Sequence, residues 1–434
     1  MQHKDLLERL FTAAVDAARP ETCLPARLPE PGETGRIILL AAGKAAGAMT
    51  AVAEQVYLDR FGLDPARLDG LCVTRHGYAR PLRHLACVEA GHPVPDEAGM
   101  AASARTLELV AGAGAGDHIV VLLSGGGSAN WSLPVEGVTL SDKQTLTRTL
   151  LRSGATIDQI NTLRRHLSRI KGGRLSAARG QGARLTTLAI SDVPRDEPTA
   201  IASGPTLPDA STLADARALL ERFAPDAPAS IVKALDEPAN ETPKPGDPVF
   251  EGTSFEIVAR PAISLEAAAT VAREAGYEPI MLGDSLEGEA RDVAADHAAR
   301  ARELAKAGRR AVLLSGGELT VTIRGDGRGG PNQEYALALA LALDGHPGIR
   351  AVAGDTDGTD GGAGSADDPA GAFVLPATLA RARALGHDAA SFLARNDSTG
   401  FFATLDDLLR PGPTHTNVND FRAVIIDKPE AGQP

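Results

Sequence analysis

The chain has 434 residues, 43% hydrophobic and 23% charged, which suits a soluble globular protein of two domains better than a single core. Its formal charge of −12 and aromatic content of 3% exclude a general nucleic-acid or anionic-membrane binder and a base-stacking platform, while leaving room for a local basic pocket. Cys23, Cys72 and Cys87 form no Cys-x-x-Cys pair and fit a reducing cytoplasm; the charged amphipathic N-terminus is no signal sequence, and no apolar run approaches the roughly 18 residues of a membrane span.

Residues 4–18 are predicted as an opening helix, with Leu6, Leu7, Leu10, Phe11 and Val15 on one face. The continuous apolar run from Arg36 to Ala42 predicts a buried parallel strand, which Gly43-Lys44 turns into a helix over 45–57. Further strands are predicted at 70–74, 118–123 and 185–190, alternating with helical patterns at 141–152, 156–170 and 212–223. That alternation predicts a doubly wound, Rossmann-like α/β domain over 1–240. The Pro-, Ala- and acid-rich stretch 224–250 reads as a linker. A smaller α/β domain over 250–434 follows, with strands at 255–260, 278–282, 310–314, 319–323 and 349–353 and helices at 264–275, 287–307 and 332–343. Its last segment, 412–434, is a candidate to pack back on the first domain. Val121-Leu-Leu-Ser-Gly-Gly and Val312-Leu-Leu-Ser-Gly-Gly echo each other as strand ends opening into a turn.

Chemistry concentrates at those strand ends and in two glycine-rich loops. Lys44 follows a strand and opens a helix, where anions are favoured; the spacing is neither a Walker loop nor a dinucleotide fingerprint. Gly112-Ala-Gly-Ala-Gly116 precedes its strand and reads as a loop. Ser124-Gly125-Gly126-Gly127-Ser128 can form an amide nest for phosphate or carboxylate, and lacks the spacing of a hydrolase nucleophile elbow. The basic stretch Asn161 to Arg174 has three readings: a nucleic-acid patch, cations at a helix C-terminus, or charge facing an anionic substrate, with His166 structural. Asp192 follows a strand directly, as a base, a metal ligand or a turn cap. Arg328, in Arg324-Gly-Asp-Gly-Arg328-Gly-Gly-Pro-Asn332-Gln-Glu334, can grip an anion with a planar fork. Asp355-Thr-Asp357-Gly-Thr-Asp360 fails the EF-hand register, with Asp360 at the glycine position and Ala366 at the twelfth.

Taken together these segments resemble the glycerate 2-kinase family of the MOFRL type. The resemblance rests on Gly43-Lys44-Ala-Ala, Leu123-Ser-Gly-Gly-Gly-Ser-Ala, Ile160 to Leu175, Ile190-Ser-Asp-Val-Pro through Thr206, Leu314-Ser-Gly-Gly-Glu, Gly327-Arg-Gly-Gly-Pro-Asn-Gln-Glu, Asp357-Gly-Thr-Asp-Gly and Gly412-Pro-Thr-His-Thr-Asn-Val-Asn-Asp420, in family order over nearly the whole chain. It implies a two-domain α/β enzyme with the active site in the interdomain cleft, phosphorylating D-glycerate at the 2-hydroxyl with ATP and Mg²⁺. By motif, Lys44, Asp192 and Arg328 match the family's catalytic lysine, acid and arginine. Ser124 to Ser128, Gly316, Gly317, Asn332, Glu334 and Asn417 are candidate phosphate or substrate contacts, and Asp355 and Asp357 candidate metal ligands. Family members often carry the label hydroxypyruvate reductase, so a nicotinamide-dependent reductase is an alternative, and a non-catalytic sugar-acid-binding protein another. The expected partners are D-glycerate and ATP, with no nucleic acid or membrane; the sequence leaves oligomeric state open, a homodimer included. Asn130-Trp131 and Asn396-Asp397-Ser398-Thr399 depart from the family pattern, which usually has a small aliphatic residue and a His-Asp-Ser-Tyr-like segment there.

Overall fold

The structure is a computed structural model that describes residues 2–362 and 367–427. The position at Ala366 and residues 428–434 of the final segment lie outside the described residues. The chain divides into two compact units, one of residues Pro20–Val258 and one of Met1–Arg19 with Ala259–Pro434.

In the Pro20–Val258 unit the strands are β1 (Ile37–Ala42), β2 (Leu68–Arg75), β3 (Ala86–Ala90), β4 (His118–Leu123), β5 (Arg184–Ile190) and β6 (Thr253–Ala259). They form one sheet in the order β3-β2-β1-β4-β5-β6, with β1 to β5 paired in parallel. This is the order of a doubly wound Rossmann-like sheet, and it reverses direction between β1 and β4. Every residue of β1 and β4 is buried, which is why both read as unbroken apolar runs. Helices Ala46–Gln55 and Glu97–Ala111 pack on the sheet. The chain between β4 and β5 adds helices Leu140–Arg152 and Ile157–His166, each opened by a threonine capping box. With Leu213–Phe223 and Ala229–Asp236 they close a separate apolar cluster around Leu146, Leu150, Leu163 and Ile231.

The other unit holds β7 (Glu278–Gly283), β8 (Ala311–Ser315), β9 (Ile349–Asp355), β10 (Gly371–Val374), β11 (Leu408–Leu409) and β12 (Asp420–Ile426), in the order β11-β10-β9-β12-β8-β7. Only β7–β8 is parallel; β12 runs antiparallel between β8 and β9. Alternate side chains serve two cores. Leu313, Val424 and Ala353 face helices Ala290–Lys306 and Pro331–Leu343, whereas Val312, Ala423 and Val352 face helices Gln2–Ala18 and Pro261–Glu274. The first helix of the chain thus belongs to the unit built from Ala259–Pro434.

The strand expected at 319–323 does not form. Thr320 makes a single bridge to Glu289, and Ile323 is 81% exposed. The apolar alternation there mimics a strand, but both edges of β8 are already taken by β7 and β12.

Candidate functional site

The Pro20–Val258 unit gathers its candidate residues at the carboxyl ends of β1, β4 and β5, beside the point where the strand order reverses. Ligands of open α/β sheets bind there, since two adjacent loops diverge and leave a crevice. The loops after β1 and β4 are tied together: the Lys44 N–H donates to Gly125 O at 2.8 Å and the Ala45 N–H to Ser124 Oγ at 3.0 Å. Gly43 has φ +124°, and a Cβ on it would lie 2.4 Å from Ser124 Oγ, so no other residue fits this crossing. Gly126, at φ +85°, leaves room for a Cβ only 3.0 Å from His92 Cδ2 and 3.4 Å from Lys44 Cγ, which places the stem of half-buried Lys44 against the turn. Among the described residues the N–H groups of Gly125 and Gly126 have no partner, whereas that of Gly127 turns back to Ser124 O at 3.2 Å. A lysine stem beside two open amides is an anion-binding arrangement.

Asp192, half-buried, begins the loop that leaves β5, and Ser191 Oγ beneath it accepts the Val193 N–H at 3.4 Å. This loop is strained: Arg195, Asp196, Ala202 and Ser203 all have φ between 51° and 61°. Such conformations cost non-glycine residues of order 1–3 kcal/mol each and persist only where the surroundings dictate them. Here the Gly172, Gly173 and Leu175 N–H groups clamp the carbonyls of Ser203, Gly204 and Pro205 at 3.1, 2.8 and 3.0 Å. The clamp sets Ser203 Oγ 2.8 Å from Ser128 Oγ and lets it donate to Asn161 Oδ1 at 3.2 Å, which also accepts Arg164 Nη1 at 3.3 Å. Asn161, Arg164 and Ser203 thus join the Ser128 turn through one hydrogen-bond chain, a link that no local pattern reveals. A cavity of about 550 Å³ is lined in part by Asn161, but Asp158, Glu197 and Asp209 outweigh the cation there, Arg165, so its charge is unsuited to an acid substrate. His166 is fully buried between Thr162 O and Glu241 Oε1, each at 3.0 Å, a structural placement.

In the other unit Arg328 is exposed on a loop whose glycines are dictated by a neighbouring segment. A Cβ at Gly325, Gly327 or Gly329 would lie 2.5 Å from Arg395 O, 2.4 Å from Asp397 Cβ or 2.2 Å from Ser398 Oγ. Asn396 Oδ1 accepts the Arg324 and Gly325 N–H groups at 2.7 and 3.1 Å, and Asp397 Oδ1 accepts that of Arg328 at 3.2 Å. The Asn396-Asp397 departure from the family pattern is therefore the anchor of the Arg328 loop. Asn332 and Glu334 are buried in the helix that follows. Asn332 Nδ2 donates to Asp360 and Asp420, at 3.2 and 2.6 Å, and Glu334 Oε1 accepts from Arg291 Nε at 2.6 Å and Asn396 Nδ2 at 3.1 Å. The Gly316 N–H is spent on Gly283 O at 2.9 Å, while the carbonyls of Gly316 and Gly317 accept from buried Arg422, itself ion-paired with Asp420. Asn417 Oδ1 accepts the Asn419 N–H at 3.2 Å.

In the sequence Asp360 is one member of an acidic run; in the fold it caps a helix. Its two carboxylate oxygens accept the Asn332 and Gln333 N–H groups at 3.0 and 2.9 Å, capping the helix Pro331–Leu343 from another loop. Burial pushes its carboxyl up to about 7, against the pull of those amides and with Asp420 adding to the rise. Asp355 and Asp357 close β9 and the turn after it, with Asp355 Oδ1 accepting the Asp357 N–H and Asp357 Oδ1 the Thr359 N–H, both at 2.8 Å. Two carboxylates so close in sequence suit Mg²⁺, which takes one or two carboxylates and completes its shell with phosphate oxygens and water. Among the described residues no group of three or more His, Cys, Asp or Glu is placed to hold a metal by protein ligands alone.

Comparison with known proteins fits this geometry. Residues 6–236 match the model of DUF4147, a domain of unknown function, and residues 311–420 that of the MOFRL family. The chain is 46% identical to a provisionally named hydroxypyruvate reductase of Agrobacterium vitis, over 98% of this chain and 94% of that one. It is 37% identical to the D-glycerate 2-kinase of Thermotoga maritima, over 98% of each chain. A crystal structure of glycerate kinase from Thermotoga maritima superposes with a TM-score of 0.88, at 37% identity, covering 98% of this chain and 99% of that one. With both domain models matched in order and relatives aligned over almost its full length, this chain belongs to the MOFRL-type glycerate 2-kinase family.

Proposed function

We propose that the protein transfers the terminal phosphoryl group of ATP to the 2-hydroxyl of D-glycerate. The observation that carries this reading is the full-length likeness to a D-glycerate 2-kinase, with a lysine and open amides at the β1–β4 reversal point. Phosphoryl transfer asks little covalent help of a protein; positioning and neutralisation of charge do most of the work. In this reading Lys44 and Arg328 share the charges of the transferring phosphoryl group and the glycerate carboxylate. Asp192 orients the 2-hydroxyl or takes its proton. The amides of the Ser124–Ser128 turn hold an oxyanion. Asp355 and Asp357 would hold the Mg²⁺ that accompanies the nucleotide, whose chemistry is to offset phosphate charge.

The hydroxypyruvate reductase name of the Agrobacterium vitis relative supports a second reading. Against it, the turn after β1 reads Gly43-Lys44-Ala45 instead of the Gly-x-Gly-x-x-Gly that brings backbone against a dinucleotide pyrophosphate. One assay separates the two. Purified protein is given D-glycerate and Mg-ATP, ADP is followed, and the product is coupled to enolase without a phosphoglycerate mutase. ADP with immediate enolase turnover is the expected result. Absence of ADP, with NAD(P)H consumed on hydroxypyruvate, would overturn the kinase reading.

A further inference from the structure

Two buried lysines and a half-buried arginine of the Pro20–Val258 unit have, among the described residues, no carboxylate to balance them. Lys143 is 5% exposed and Lys171 only 1%, and Arg164 stands on the neighbouring helix Ile157–His166. Among the described residues none of the three forms an ion pair. Lys171 Nζ donates to Trp131 O, Arg164 Nη1 to Asn161 Oδ1, and Lys143 Nζ is buried with no partner at all. The segment leaving the glycine turn adds further orphans: Asn130 Oδ1, Trp131 Nε1 and Ser132 Oγ are buried and unbonded. Charges buried in proteins are normally paired, because an isolated one forfeits its hydration. Burial, reinforced by Arg164, pulls the Lys143 ammonium down to about 7. Burial lowers Lys171 well below its ordinary value too, with Lys143 and then Arg164 adding to the fall. Through Asn161, Ser203 and Ser128, Arg164 connects to the turn that meets Lys44.

We propose that Lys143, Arg164 and Lys171 form a recessed oxyanion site, a receptor for a carboxylate or phosphate group, with the Trp131 indole N–H and the Ser132 hydroxyl as additional donors. Among the described residues no carboxylate pairs with these cations, so they supply charge, and the neutral donors supply direction. This goes beyond the roles given to Lys44 and Arg328, and rests on the kinase reading only for the identity of the anion: the carboxylate of the acceptor acid, or a phosphate of the nucleotide or product. The Asn130-Trp131 departure would then be part of the receptor.

The test measures binding without chemistry. Thermal unfolding of the full chain is followed at constant ionic strength against D-glycerate and, separately, against inorganic phosphate, with chloride as the control anion. The expected result is a saturable rise in midpoint with one or both. Lys143→Met should weaken that apparent affinity at least about tenfold, as expected for a lost charge-assisted hydrogen bond. The ligand-free variant should be no less stable than the parent, since an apolar side chain replaces an unpaired buried charge. Trp131→Phe keeps the ring and the cations; it should weaken binding severalfold and serves if the lysine variant does not fold. A shift with glycerate alone assigns a carboxylate site, and a shift with phosphate alone a phosphate site; both support the proposal. No saturable shift with either ligand, or unchanged affinity in the folded variants, overturns it. Failure of the kinase reading looks different: the anion binds and the variants respond, yet the parent protein makes no ADP.

Discussion

At the scale of single residues, Lys44 has a position as well as a charge. Its N–H is fixed on Gly125 O and its stem packs on Gly126, so its amine is carried by a lysine whose backbone cannot drift. Lys44→Ala is expected to lower kcat for ADP formation by about 10²–10³, the usual loss when one preorganised electrostatic donor goes, while the melting curve changes little. A variant with full activity would remove Lys44 from the chemistry. Lys44, Asp192 and Arg328 stand out in the sequence because each lies in a motif at a strand end or a glycine loop. Lys143 does not, although it leaves a trace: it occupies a core-facing position of an amphipathic helix with Leu146 and Leu150, where a lysine is out of place. Asn161 and Ser203 gain their meaning from a hydrogen bond across 42 residues, which no local pattern encodes.

At the scale of elements, the two glycine-rich loops teach the opposite lesson. Their glycines read in sequence as a way for backbone to approach a ligand. In the fold, Gly325, Gly327 and Gly329 lie flush against residues 395–398, and Gly330 against Asp360. The partner segment is some 70 residues away, so the sequence offered no means of seeing it. Gly327→Ala is therefore expected to cost about 1–3 kcal/mol through overpacking, read by urea denaturation, and to reduce turnover by loosening the Arg328 loop. Asp360 gives a pH-dependent prediction. Its carboxyl ionises near 3.8 in an unfolded chain and near 7 in the fold, so between these values the folded protein keeps a proton the unfolded chain has lost. Its contribution is full below about pH 4 and declines as pH rises through 7. Compared with Asp360→Asn, the parent should lose stability between pH 5 and pH 8; parallel urea midpoints for the two proteins across that range would refute this. Strands β1, β2, β4 and β5 were visible as buried apolar runs. Strand β3 was not, since most of its side chains are only partly buried at a sheet edge, and neither was β12, whose apolar run is interrupted by the buried Arg422.

At the scale of the whole molecule, one unit is made from both ends of the described chain. Helix Gln2–Ala18 buries Leu7, Leu10, Phe11, Ala14 and Val15 against Leu265, Ala268, Val352 and Phe421, and the Thr416 hydroxyl donates to Ala18 O at 2.6 Å across 398 residues. Leu10→Ala is expected to destabilise this unit by about 2–5 kcal/mol, as a fully buried leucine truncated in a packed core. Hydrogen exchange should register the loss in β8, β9 and β12 while leaving β1 and β4 protected; equal loss in both sheets would show that the two cores are not independent. The same connectivity bears on how the protein is made. At ribosomal rates of roughly 5–20 residues per second, the first helix waits tens of seconds for β12. Its apolar stripe has no native partner while the whole Pro20–Val258 unit emerges and acquires its own core. Throughout that interval the newborn chain carries an unsheathed hydrophobic segment, and chaperone capture during synthesis should fall mainly on that helix.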